Sequence, residues 1–136
     1  MLGFLILFSF QLYASEIEVS LENLRSQKGE VLYLLFAAEK GFPDQAGNSL
    51  IKGSIPAREA HERGIMINGL VDGEYALSIF HDENSNHKLD TTFIGIPKEG
   101  FGFSQNPYVF FGPPSFNKAK FVLKTRTKLK VKILYF

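Results

Sequence analysis

Polar and apolar positions alternate near both ends of the chain. Every second residue is apolar over residues 16–22, and the same period of two returns over residues 119–124 and 127–135. This period is typical of strands that bury one face and expose the other to water. Four further segments have short apolar runs bounded by turn residues, which also predicts strands. They are residues 30–38, 50–55, 64–70 and 74–80.

The seven predicted strands leave two connections of note. Residues 56–63 form a polar connection with room for one helical turn, and residues 91–117 form a long connection rich in glycine, proline and phenylalanine. No segment has a sustained period of 3.6 residues, so the pattern does not predict a helical domain. We therefore expect an all-β fold, an antiparallel seven-stranded β-sandwich with one long loop.

Composition limits the chain to one folded domain. Its 136 residues match the size of a single domain, and 45% hydrophobic residues with a net charge of +1 exclude a disordered chain. The absence of cysteine excludes a disulfide framework, a thiolate zinc site and a cysteine nucleophile.

The amino-terminal segment predicts export. Residues 2–12 are nearly all apolar and the first charged side chain is Glu16. A membrane-spanning helix needs about 20 apolar residues, so this shorter run indicates a secretory signal peptide. We expect a signal over residues 1–14 and a single domain over residues 15–136, located in the periplasm or secreted, with no membrane-spanning segment once the signal is removed. The alternative is a buried first strand.

An acidic loop follows the strand that ends near Phe80. Side-chain oxygens at every second position, from Asp82, Asn84 and Asn86, can converge on one cation if the loop curls. Lys88 would add its carbonyl and Asp90 a second carboxylate, which gives the first five ligand positions of an EF-hand-type loop. The expected cofactor is Ca²⁺, bound weakly at about 10⁻⁴–10⁻³ M.

The loop departs from the calcium pattern at two positions. His87 stands where the EF-hand has glycine, and Phe93 stands where it has the closing glutamate. One alternative is a tight turn without metal, in which Asn84 and Asn86 bond to the local backbone. Another is a transition-metal site with His81 and His87 as ligands.

The long aromatic connection offers a second candidate site. Phe101, Phe103, Tyr108 and Phe110 are candidates for a surface that contacts an envelope or extracellular protein or a glycan. The alternative is that these rings fold back over the open end of the sandwich as a second core, where glycine permits close backbone approach.

The carboxyl-terminal part of the chain is basic. Seven lysine and arginine residues and no acidic residue follow Glu99. They predict either a patch for an anionic partner, such as lipid headgroups or a cell-wall polymer, or the solvated face of an edge strand. No nucleic-acid-binding module accompanies them, so a nucleic-acid partner is not expected.

The residues resemble one bacterial family, the secreted proteins catalogued as domain of unknown function 2141. The resemblance rests on Gly41-Phe42-Pro43, Gly69-Leu70 with Gly73 and Tyr75, His81-Asp82-Glu83-Asn84 with Asn86, Lys88-Leu89-Asp90-Thr91, Gly95 with Pro97, Glu99-Gly100, Gly102-Phe103-Ser104 and Gly112-Pro113-Pro114-Ser115-Phe116. It implies export and an immunoglobulin-like or transthyretin-like sandwich. It implies no activity. Members typically have glycine at the positions of Ser85 and His87.

The sequence lacks the common catalytic motifs. The sequence has no nucleophile elbow, zinc-protease helix motif or Walker loop. We therefore predict an exported, non-catalytic binding or structural module. The alternative function is a small envelope hydrolase in which His81 acts beside the carboxylates of Asp82, Glu83 and Asp90.

Overall fold

The computed structural model describes residues 14–87 and 98–136. The predicted signal, up to residue 13, lies outside these ranges, as do Lys88 and Asp90. The described part of the chain is mostly β, with eight strands, two short helices and a 3₁₀ turn at Ala46–Asn48. The strands are β1 Ser15–Glu22, β2 Glu30–Phe36, β3 Ile51–Pro56, β4 Ile65–Leu70, β5 Gly73–Asp82, β6 Gly100–Phe103, β7 Phe121–Leu123 and β8 Arg126–Lys132. The helices are α1 Ala57–Arg63 and α2 Phe116–Ala119.

The strands form two sheets. The smaller sheet has the order β4-β1-β8, and the larger has the order β3-β2-β5-β6, with β7 paired to the first residues of β5. All pairs of the larger sheet are antiparallel, but β1 and β8 are parallel. The prediction of two-sheet β architecture is confirmed. The prediction of purely antiparallel strands is wrong, because alternation fixes which face a strand buries but not the direction of its partner.

The strand missing from the prediction is β6. Its sequence is Gly-Phe-Gly-Phe, and glycine is disfavoured in strands, so the sequence pattern predicts a loop there. Close packing explains both glycines. A Cβ atom at Gly100 would lie 2.4 Å from Tyr135 Cε1, and one at Gly102 would lie 2.7 Å from Val131 Cγ1. β6 can therefore pair with β5 only because these positions have no side chain.

One hydrophobic core joins the two sheets. Apolar side chains of β1, β4 and β8 pack against those of β2, β5 and β7. Helix α1 occupies the predicted polar connection and closes this core with Ala57 and Ala60, both fully buried. Neither helix of the described ranges is long and apolar enough to cross a bilayer.

Candidate functional site

The segment after β5, residues 82–87, forms a tight turn that we call the acidic turn. Asp82 ends β5 and is only 1% exposed. Its Oδ1 accepts a hydrogen bond from the backbone N–H of Asn86 at 3.2 Å, and its Oδ2 accepts one from the N–H of His87 at 2.7 Å. The side-chain oxygen of Asn84 also accepts from the Asn86 N–H, at 3.3 Å. These oxygens therefore bind the backbone of their own turn.

The backbone of the acidic turn is left-handed at two residues. Ser85 has φ of 54° and His87 has φ of 58°, values that non-glycine residues adopt only at an energetic cost. The bonds to Asp82 offset this cost. The hydrogen bond to Asn84 is of the kind that the metal-free turn predicts, while the left-handed residues are Ser85 and His87. The calcium set of Asp82, Asn84, Asn86, Lys88 and Asp90 remains a prediction, because its last two members lie outside the described ranges.

A carboxylate that the sequence analysis missed lies beside the acidic turn. Glu30 begins β2 and pairs in register with Asp82. One ligand atom from each of Glu30, Asp82 and His87 lies within 4.8 Å of the others, and His87 Nε2 is 3.6 Å from Glu30 Oε2. Two carboxylates and an imidazole can coordinate a divalent cation. The register of β2 against β5 brings Glu30 here, and local sequence spacing cannot reveal that register.

His81 lies one residue before the acidic turn and is fully buried. Its Nε2 is 2.8 Å from the carbonyl oxygen of Lys28, and its Nδ1 is 2.9 Å from the hydroxyl of Tyr135. Because a carbonyl can only accept, Nε2 carries a proton and donates to Lys28, while Nδ1 is paired with the Tyr135 hydroxyl. Both nitrogens of His81 are therefore engaged in the interior.

Glu83 and Arg25 join the start of the chain to the acidic turn. The Arg25 guanidinium pairs with the Glu83 carboxylate and lies 4.4 Å from the ring centroid of Tyr135, while Ser26 donates to Glu83 at 2.9 Å. Burial raises the pKa of Glu83, but the hydrogen bonds from Arg25 and Ser26 outweigh it and hold that pKa below its usual value. Burial also raises the pKa of Tyr135. These groups form a bonded network that fixes the end of β5.

The aromatic candidate residues divide into buried and exposed pairs. Phe101 and Phe103, on β6, are 7% and 5% exposed and belong to a second core beside Ala76 and Ala119. Tyr108 and Phe110 are 80% and 70% exposed. The expected surface of four exposed rings is therefore corrected to the second pair, because pairing of β6 with β5 turns the rings of the first pair inward. Of the first pair, Phe103 still lines the groove described next.

The exposed rings line one side of a groove of about 380 Å³, which we call the aromatic groove. Tyr108 and Phe110 stack on each other at 6.0 Å, and Phe136, which is 68% exposed, also lines the groove. Phe103 and Leu134 also line the groove. Phe136 is not predictable as a lining residue from the sequence pattern, because its place depends on where the chain runs after β8.

Asn106 anchors the groove loop to the edge of β8. Its side-chain N–H donates to the carbonyl of Lys130 at 2.9 Å, and its side-chain oxygen accepts from the backbone N–H of Lys132 at 2.9 Å. The amide thus satisfies one donor and one acceptor of β8 as a neighbouring strand would. The groove loop is therefore held by hydrogen bonds to the backbone of β8 as well as by packing.

Comparison with known proteins places the chain in a family. Residues 19–131 match the model of a bacterial family described as "Uncharacterized protein conserved in bacteria (DUF2141)". No curated protein and no solved structure matches the chain. The family match covers most of the sequence, including every described strand except part of β1 and of β8. This protein therefore belongs to the DUF2141 family of uncharacterised bacterial proteins.

Proposed function

We propose that the protein is an exported, non-catalytic binding module whose contact surface is the aromatic groove. The observation that carries this proposal is the exposure of large aromatic rings around one concave surface. Tyr108, Phe110 and Phe136 line it, and Phe111, which is 95% exposed, lies edge-on to Phe110 at 4.9 Å. Clustered exposed apolar groups mark binding surfaces in soluble proteins.

The scaffold supports this role. Two packed sheets hold a loop that carries the contact rings, and binding residues are commonly placed on loops that a rigid scaffold positions. As part of the proposal, we assign the finer topology to the immunoglobulin-like or transthyretin-like class. The partner is an envelope or extracellular molecule, in keeping with the proposed export to the periplasm or beyond.

The interior position of His81 supports a non-catalytic role over the hydrolase alternative. A general base must reach the proton of a bound substrate. His81 instead contacts Lys28 and Tyr135 through its two nitrogens and is fully buried. Glu83 is likewise engaged by Arg25 and Ser26. Contacts of this kind are typical of residues that stabilise the fold.

Weak Ca²⁺ binding at the acidic turn remains a secondary part of the proposal. Its support is the placement of a second carboxylate, that of Glu30, beside Asp82, since Ca²⁺ prefers oxygen ligands. In this proposal the ion stabilises the turn and takes no part in catalysis, as in extracellular modules with millimolar sites.

Binding of Nile red, an uncharged apolar dye, tests the groove. We expect the full chain to enhance the dye's fluorescence and the double variant Tyr108→Ser/Phe110→Ser to lose most of that enhancement at an unchanged melting temperature, because both rings lie outside the two cores. The control is Val122→Ser, since Val122 is 61% exposed on β7 and does not line the groove. Equal enhancement by the wild type and the double variant would contradict the proposal.

A further inference from the structure

We infer that the aromatic groove binds an anionic amphiphile, with one acyl chain along its apolar walls and the negatively charged head at Lys132. This inference rests on the proposed function and adds the chemical class of the ligand. It comes from three observations: the size of the groove, the apolar character of its walls and the position of one cation on its lining.

The size and walls of the groove fit a small apolar chain. Its volume of about 380 Å³ lies near the lower end of the range for small-molecule sites, which is about 300–1,000 Å³. Phe103, Val109 and Leu134 contribute apolar side chains, and Tyr108 and Phe136 add flat rings. A methylene chain gains free energy from each CH₂ group that it buries against such walls.

One end of the amphiphile must carry a charge opposite to that of the lining. Lys132 is the charged side chain of the lining, and no carboxylate side chain contributes to it among the residues that the structure describes. Within the same ranges, Lys132 makes no ion pair with a side chain, whereas Lys130 pairs with Glu22 at 4.0 Å and Lys120 with Glu74 at 3.3 Å. The ammonium group of Lys132 is therefore available to a ligand.

The backbone of Lys132 is also fixed. Its N–H donates to Asn106, the residue that ties the groove loop to β8. The strand residue that carries the cation is therefore bonded to the loop that carries the apolar walls. A carboxylate or phosphate head can meet the ammonium while the attached chain lies along the rings. The same chemistry is present in a free fatty acid and in the acyl chain of an anionic phospholipid.

Titration with matched amphiphiles tests the inference. Dodecanoate below its critical micelle concentration and dodecanol below its solubility limit are titrated by calorimetry into the full chain and its variants, all of which share residues 1–13. We expect the wild type to bind dodecanoate up to about fivefold more tightly than dodecanol, since an exposed ion pair contributes at most about 1 kcal/mol. Lys132→Gln should remove that preference and leave dodecanol binding unchanged.

Lys128→Gln is the control for general charge. Lys128 is exposed on β8, as Lys132 is, but it does not line the groove. We expect this variant to keep the preference for dodecanoate. Equal wild-type affinity for the two amphiphiles, or loss of the preference in Lys128→Gln, would overturn the anionic-head assignment while leaving the proposed function supported by Nile red binding. Absence of both amphiphile and Nile red binding would overturn the inference and the proposed function together.

Vesicles separate the sources of the ligand. The chain is sedimented with phosphatidylcholine vesicles that contain phosphatidylglycerol, and with vesicles of phosphatidylcholine alone. Monomeric dodecanoate binding without vesicle binding supports a free fatty acid. Binding to dodecanoate and to the phosphatidylglycerol vesicles, both weakened in Lys132→Gln, supports the acyl chain of an anionic phospholipid. Vesicle binding without any binding of monomeric dodecanoate would indicate that the exposed rings contact a membrane surface and do not hold a single acyl chain. That result would overturn the inference.

Discussion

Replacing Asp82 with alanine removes both acceptors that hold the acidic turn. The N–H groups of Asn86 and His87 donate to this carboxylate at 3.2 and 2.7 Å. A hydrogen bond to a charged group contributes about 1.5–3 kcal/mol. Because both bonds stabilise one turn, their effects overlap, and we expect Asp82→Ala to lower the free energy of unfolding by about 3 kcal/mol in a chelator. Asp82→Asn keeps one acceptor oxygen and is expected to lose about half as much.

Urea unfolding followed by circular dichroism measures this loss. The first series contains EDTA, so that the hydrogen bonds are tested without any divalent cation. Asp44→Ala is the control, because Asp44 is an exposed aspartate in another turn, and a change within about 0.5 kcal/mol is expected there. A second series contains several millimolar CaCl₂. If the turn holds a millimolar site, calcium should stabilise the wild type by about 1 kcal/mol and leave Asp82→Ala unchanged.

Two separate results would refute this reasoning. If Asp82→Ala in EDTA loses no more stability than Asp44→Ala, the carboxylate does not hold the turn. If calcium fails to stabilise the wild type, or stabilises Asp82→Ala equally, no ion is bound at Asp82. The first result concerns the hydrogen bonds and the second concerns the metal, so the two hypotheses are tested independently.

Three further predictions follow from backbone geometry and charge. Gly29 has φ of 70°, and an added Cβ would lie 2.0 Å from the Asp82 carbonyl oxygen. Gly29→Ala should therefore lower the free energy of unfolding, measured in urea, by about 2–3 kcal/mol. The control is Gly47→Ala, at an open position, which should change that free energy by less than about 0.5 kcal/mol. Thr125 is β-branched at φ of 50°, so Thr125→Gly should raise the melting temperature and stabilise by about 0.5–1 kcal/mol, and a lower melting temperature would contradict this. The folded-state pKa of Glu83 is lowered, so its contribution to stability is present above its unfolded pKa, about 4.3, and is lost as the pH falls from there through the folded value. Across a urea series from pH 6 to pH 3, Glu83→Gln should therefore show a smaller loss of stability than the wild type, and equal losses would exclude this effect.

Much of the scaffold is predictable from the sequence because local pattern determines it. Residues 16–22 alternate strictly and form β1, and the continuous apolar run that begins at residue 30 forms the central strand β2. Strand direction and β6 are not predictable in this way. Parallel pairing of β1 with β8 depends on contacts between residues more than 100 positions apart, and β6 forms because two glycines fit beneath other side chains.

The candidate sites are predictable in residue type but not in role. The side-chain oxygens of Asp82 and Asn84 do converge, as the spacing indicates, yet within the described part of the turn they accept hydrogen bonds from the backbone. Phe101 and Phe110 lie in the same aromatic segment, but one is buried and the other exposed. Which ring turns inward depends on strand pairing. Lys132 joins the groove only because Asn106 holds the loop against β8.

The parallel contact between β1 and β8 ties the completion of folding to the synthesis of β8. β1 has β4 on one side, but its other edge is covered only when residues up to Lys132 are available. Such a long loop closure makes folding slow, since much chain entropy is lost before the contact forms. A growing polypeptide that stops before Arg126 leaves one backbone edge of β1 open. During synthesis the two-sheet fold therefore stays incomplete until β8 has emerged.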